Sequence, residues 1–93
     1  MRIPINVTAR DIEAGEPSLV SFCPIALALK RAMPNADLGT VGVGISRFWF
    51  KLNGEEWSGK LSKAKSDWIM HYDDGDDVMK PFAGYLNAQK VTT

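Results

Sequence analysis

Residues 22–34 read FCPIALALKRAMP, the longest apolar-rich segment of the chain and one that carries both a helix start and a helix stop. Pro24 suits a first helical turn, where its missing N–H would have had no intrahelical partner, and Pro34 cannot continue a helix. The stretch predicts a helix of about ten residues. At about 3.6 residues per turn Ile25, Ala28, Leu29 and Ala32 share one face, with Ala26 and Met33 beside it and Lys30 and Arg31 opposite. The alanines let the helix backbone approach a partner closely, and the two cations of the last turn oppose the negative end of the helix dipole. Leu27 falls on the polar side, which predicts a second contact, with another helix or a second chain.

Upstream of this helix, Ile3, Ile5 and Val7 alternate with Pro4, Asn6 and Thr8, the period of a half-buried strand. Pro4 cannot donate to a ladder, so the strand lies at an edge or begins there. Thr8 and Asp11 have the spacing of a capping box with a shortened acid, and Gly15 is placed to end a short helix over residues 9–14. Residues 16–21 read as a connector.

Downstream, residues 35–39 read as a loop and residues 40–52, TVGVGISRFWFKL, as a β-prone run. Its alternation changes phase, because Val41, Val43 and Ile45 share one parity and Phe48, Phe50 and Leu52 the other. A strand cannot switch its buried face without an irregularity, so a bulge or bend is expected near Ser46 and Arg47. Gly42 and Gly44 permit close approach of a backbone, for which the alanine face of the helix is the expected partner. Asn53-Gly54 between two β-prone runs predicts a type I′ hairpin. That turn fixes a register pairing Leu52 with Glu55, Lys51 with Glu56, Phe50 with Trp57, Trp49 with Ser58, Phe48 with Gly59 and Arg47 with Lys60. Phe48, Phe50, Leu52, Trp57 and Leu61 then form a core face. Arg47, Trp49, Lys51, Glu56 and Lys60 form a face toward water, and Phe48 covers the bare backbone of Gly59. Ser62 caps a third helix running to about Asp74, with Ala64, Trp68 and Tyr72 on one side, Ile69 beside them and Gly75 ending it. Residues 78–86 suggest a last strand interrupted by Pro81, and residues 87–93 a frayed tail.

These elements define an α+β domain spanning residues 1–93: a small, mostly antiparallel sheet of three or four strands, with two or three helices packed on one face. The 93 residues suffice for one core. Eleven basic and 11 acidic residues cancel, so nothing global points to nucleic acid or an anionic membrane. The single cysteine cannot form an intramolecular disulfide and fits a reducing compartment. No apolar run approaches the roughly 20 residues of a membrane span, and the first residues do not form a secretory leader. The expectation is a soluble cytoplasmic protein.

Four motifs follow one another across most of the chain: VT-x-x-DI-x-x-G from Val7 to Gly15, CP-I-ALAL-x-RA from Cys23 to Ala32, VGV from Val41 to Val43, and YD-x-G-x-x-V-x-x-PF from Tyr72 to Phe82. In these the chain resembles a group of short uncharacterised proteins encoded by bacteriophages and prophages. The resemblance implies a phage accessory protein acting inside a host bacterium, and it carries over no catalytic or ligand-binding residues. The aromatic hairpin RFWFKLNGEEW lies outside the shared pattern.

Three constellations compete as candidate sites. Trp49 flanked by Arg47, Lys51 and Lys60 offers an anchor for a partner protein or a stacking platform for single-stranded nucleic acid. Burial of Trp49 by a terminal strand or by a second copy of the chain is the competing reading. Asp73, Asp74, Asp76 and Asp77 surround Gly75 as an acidic docking surface for a basic partner. They lack the alternating ligands and the distant closing Glu of a calcium loop, so no metal site is expected. Cys23 at a helix start and His71, the only histidine, are the one thiol and one imidazole. They lie on different helices with no orienting third group, so no catalytic dyad is expected. The GVG segment lacks the third glycine and following helix of a dinucleotide loop, and no cofactor is implied. The reading that follows is a non-catalytic phage accessory protein, active in host takeover or against host defence, that binds a bacterial or phage protein through the hairpin face; the alternative is a single-strand nucleic-acid module using the same face.

Overall fold

In the computed structural model, which describes residues 1–75 and 79–91, the Asn53-Gly54 turn sets the central register. Both residues take left-handed backbone, φ 54° and 78°, as a type I′ turn demands. β3 (Arg47–Leu52) and β4 (Glu55–Lys60) pair from Leu52 opposite Glu55 to Arg47 opposite Lys60, the register expected from a two-residue loop. Phe48 and Phe50 are fully buried, and Phe50 stacks on Trp57 across the strands with centroids 6.5 Å apart. A Cβ on Gly59 would stand 2.6 Å from the Phe48 ring, so the phenyl group does cover that bare backbone.

The expected single run over residues 40–52 is instead two strands. β2 (Asp37–Val43) ends before a tight reversal at residues 44–46, closed by Gly44 N–H donating to the Arg47 carbonyl at 2.8 Å, and β3 returns antiparallel. The change of phase is a change of direction: Val41 and Val43 point to the core from one strand, Phe48 and Phe50 from the next, and Ile45 sits exposed between them. The irregularity lies deeper in β2, where the register with β3 shifts between Asp37 and Gly42. There the Thr40 hydroxyl accepts from Lys51 N–H at 2.9 Å and donates to the Asp37 carbonyl at 2.6 Å, standing in for a ladder bond.

β1 (Arg2–Val7) pairs only with β5 (Phe82–Asn87), in keeping with Pro4 at an edge. The chain then continues through Ala88 into β6 (Gln89–Lys90), which joins β4. The result is an α+β domain with a two-stranded and a four-stranded antiparallel sheet, in the orders β1-β5 and β2-β3-β4-β6. Residues 87–91 are therefore no frayed tail. Ala88 is buried, and it exchanges two backbone hydrogen bonds of 2.8 Å with Met1. The last main strand also begins later than expected, at Phe82, while Val78 lies outside the described residues.

α1 (Ala9–Ala14) opens on the anticipated capping box, with Thr8 Oγ accepting from Asp11 N–H and the Asp11 carboxylate accepting from Thr8 N–H. Gly15 ends it in extended backbone, so the glycine answers to space: a Cβ there would press on Pro24 Cδ at 2.9 Å. α2 (Pro24–Ala32) buries Ile25, Ala26, Ala28 and Leu29 against β1 and β2 and so spans both sheets. Leu27 is half-buried. α3 (Lys63–Asp73) starts at Ser62, whose Oγ accepts from Lys65 N–H, and buries only Ile69 fully. Ala64 is exposed, against expectation. The helix is held by aromatic contacts instead. Trp68 stacks on Tyr72 at 5.7 Å, meets Phe82 edge-on at 5.2 Å and donates its indole N–H to the Lys80 carbonyl, while Tyr72 donates to the Ile12 carbonyl. No helix among the described residues is long and apolar enough to cross a membrane.

One ion pair ties this helical layer together. Arg31 forks onto both oxygens of Asp11, at 2.9 and 2.8 Å, and also donates to the Asn6 carbonyl at 2.7 Å. Asp11 is only 5% exposed, and it serves at once as helix cap and as counter-ion. The Arg31 guanidinium holds its carboxyl below the usual carboxylate value; burial opposes this, and the Thr8 N–H adds to it. A carboxyl lowered in the folded state stabilises the fold above its unfolded value and loses that contribution as pH falls through the lowered one. Asp11→Asn is expected to destabilise the protein by about 2 kcal/mol near neutral pH and to flatten the acid limb of its stability profile. Urea denaturation of both proteins across the acid range checks this.

Candidate functional site

The outer face of β3 carries Arg47, Trp49 and Lys51, because every second side chain of a strand points away from the core. Trp49 is 40% exposed, and among the described residues neither β1 nor β6 pairs with β3 over it. Its directly opposed residue on β2 is Gly42, and the indole lies flat across that strand in the space where a Cβ would stand. Gly44 extends the floor, with its would-be Cβ 3.6 Å from the indole benzene edge. These glycines were expected to admit the alanine face of the helix. They admit Trp49 on the opposite side of the sheet.

Around the indole is an open groove of about 310 Å³, lined among others by Thr40, Arg47, Lys51, Glu56, Ser58 and Val91. Arg47 donates to Ser58 Oγ at 3.2 Å, which extends the guanidinium along one flank of the ring. Lys51 faces Glu56 across the strands at 4.0 Å on the other. Lys60, opposite Arg47, continues the basic end into an adjoining depression with Gln89 and Lys90. The far wall is Val91, anchored by its N–H to the Glu56 carbonyl at 2.8 Å. The sequence-predicted group of Trp49, Arg47, Lys51 and Lys60 thus shares one face, while Val91, Thr40 and the glycine floor were missed. Residues 88–91, AQKV, carry no period-two alternation, so the sequence offered no signal for the wall.

The acidic candidates are only partly placed. Asp73 closes α3 and accepts from Ser18 N–H at 2.8 Å, which offsets its unfavourable position at the negative helix end. Asp74 is the exposed C-cap residue, and Asp76 and Asp77 lie outside the described residues. Among the described residues no group of three or more His, Cys, Asp or Glu is arranged to hold a metal ion. Cys23 is buried at the N-cap of α2, with Sγ 4.0 Å from the Val43 carbonyl, and burial pushes its thiol up rather than toward thiolate. His71 lies on the exposed side of α3. A buried thiol of raised pKa is a poor nucleophile near neutrality.

Comparison with family models, curated proteins and solved structures finds no match for this chain. What the Trp49 face can do therefore rests on its own geometry: a partly exposed apolar plate backed by Gly42, with cations on its flanks. The rigid backing is testable without a partner. Gly42→Ala forces the indole off its floor and is expected to cost about 1–3 kcal/mol, whereas in a Trp49→Ala background most of that cost disappears. A double-mutant cycle by urea denaturation measures the difference.

Proposed function

We propose that this protein is a binding module that engages a partner protein through the outer face of the β3–β4 hairpin, with Trp49 as anchor and Arg47, Lys51 and Lys60 at the rim. The observation that carries this reading is the pairing of a substantially exposed indole with Gly42. A glycine inside a strand weakens it, and an indole left in water forgoes the stabilisation of burial. The sequence accepts both for the sake of a fixed, accessible aromatic surface, and Trp and Arg are both enriched among interface hot spots.

A protein partner is favoured over single-stranded nucleic acid by the company the cations keep. Arg47 is engaged by Ser58, Lys51 stands opposite Glu56, and the wall facing the indole is the apolar Val91. A strand of phosphates would meet a short, partly neutralised track there, whereas an apolar side chain with an acidic neighbour would find complementary surface on both counts. The module acts by occupancy and not by chemistry. The resemblance to phage-encoded proteins supports placing it in the cytoplasm of an infected bacterium, where blocking a host protein is a way to redirect or disarm the cell.

Affinity capture from bacterial lysate by the tagged protein tests the reading, with and without nuclease and with Trp49→Ala alongside. A defined protein that survives nuclease and is lost with the variant is the expected outcome, the substitution weakening binding by about 2 kcal/mol or more, roughly thirtyfold. Capture that disappears with nuclease would transfer the site to nucleic acid, and capture equal in both variants would remove Trp49 from the interface.

A further inference from the structure

A second depression, of about 260 Å³, opens between residues 18–20, the β2–β3 turn and α3, and meets the Trp49 site only at Gly44. Its floor includes the buried Val43 and Ile69. Its walls include Leu19, Val20 and Ile45, all substantially exposed, Ile45 at 54%. Three branched aliphatic side chains, each about half exposed, thus surround one cavity and together make a local apolar patch.

The arrangement is built into the chain. Val43 N–H donates to the Val20 carbonyl at 2.8 Å, which pins the connector along the free edge of β2. Ser18, at φ 62°, holds left-handed backbone that a non-glycine residue rarely adopts, and its N–H is fixed by the Asp73 carboxylate. That carboxylate also gives the cavity its charge. Asp73 lines it, no cation among the described residues does, and the exposed Asp74 follows at the negative end of the α3 dipole.

We propose that this cavity docks a segment of a partner protein in which one or two branched apolar side chains are flanked by lysine or arginine. The apolar side chains fill the space between Leu19, Val20 and Ile45, and the flanking cations meet Asp73 and Asp74. Apolar complementarity supplies affinity, and the acidic lip selects basic segments over acidic ones of equal hydrophobicity. The surface is separate from the Trp49 face and does not rest on the function proposed for it.

The test is an NMR titration of the full methyl-labelled chain with a short blocked peptide of leucine and lysine, beside counterparts in which glutamate replaces lysine or serine replaces leucine. The leucine–lysine peptide is expected to shift the methyl signals of Val20, Ile45 and Ile69 saturably and to leave the Trp49 indole signal in place. Both counterparts should bind at least about tenfold more weakly. Ile45→Ser, at an exposed position where the fold persists as judged by the dispersed amide spectrum, should abolish the response, and Asp74→Asn should weaken it about threefold. Equal binding of the glutamate peptide, shifts centred on Trp49, an unchanged response in Ile45→Ser, or no response to the leucine–lysine peptide would each overturn the proposal.

Discussion

The register of the β3–β4 hairpin is the constraint on which both the core and the proposed binding face depend. Two left-handed residues, Asn53 and Gly54, leave one way to close the loop, and closing it places Phe48, Phe50 and Trp57 together on one side and Trp49 on the other. A slip of a single residue would exchange the two faces, because strand side chains alternate with a period of two. Core and site are therefore one decision made at the turn. Gly42 then discriminates further, since only that opposed position leaves room for the indole to lie down against β2.

The helical layer is organised by a different kind of interaction. α1 is too short to be stable alone, and its amphipathic face is slight. What keeps it in place is the Asp11 carboxylate, which takes the Thr8 N–H as a cap and the Arg31 guanidinium as a partner, while Arg31 reaches on to β1 at Asn6. Strand, short helix and main helix thus converge on one buried acid. A charge so nearly excluded from water persists because its oxygens are met by a guanidinium fork and a backbone N–H.

Legibility in the sequence followed the range of each interaction. The hairpin, the capping box of Thr8 and Asp11, the start of α2 at Pro24 and the cap of α3 at Ser62 all depend on residues within a few positions of one another, and each could be read directly. The reversal at residues 44–46 was visible as a break of phase but not as a turn, because its sequence, GIS, lacks the strong turn dipeptides. The split into two sheets, the addition of β6 to β4 and the Arg31 fork join residues far apart in the chain, and no local pattern announces them. For the site, parity alone put Trp49, Arg47, Lys51 and Lys60 on one face. The glycine floor was misassigned because sequence spacing tells that something must approach Gly42, not from which side of the sheet it comes.

The clasp between Met1 and Ala88 has a mechanical consequence. Where β1 and β5 run antiparallel, Arg2 and Asn87 are the first rung of their ladder, so the start of β1 and the end of β5 lie at the same point. Tension applied between those ends loads the rungs one after another, once β6 has been peeled from β4, and never many in parallel. Such a ladder opens like a zipper at low force, whereas strands pulled lengthwise past each other resist as a group. A ladder joined in this way can be stable at equilibrium and still yield readily to a force that separates Arg2 from Asn87.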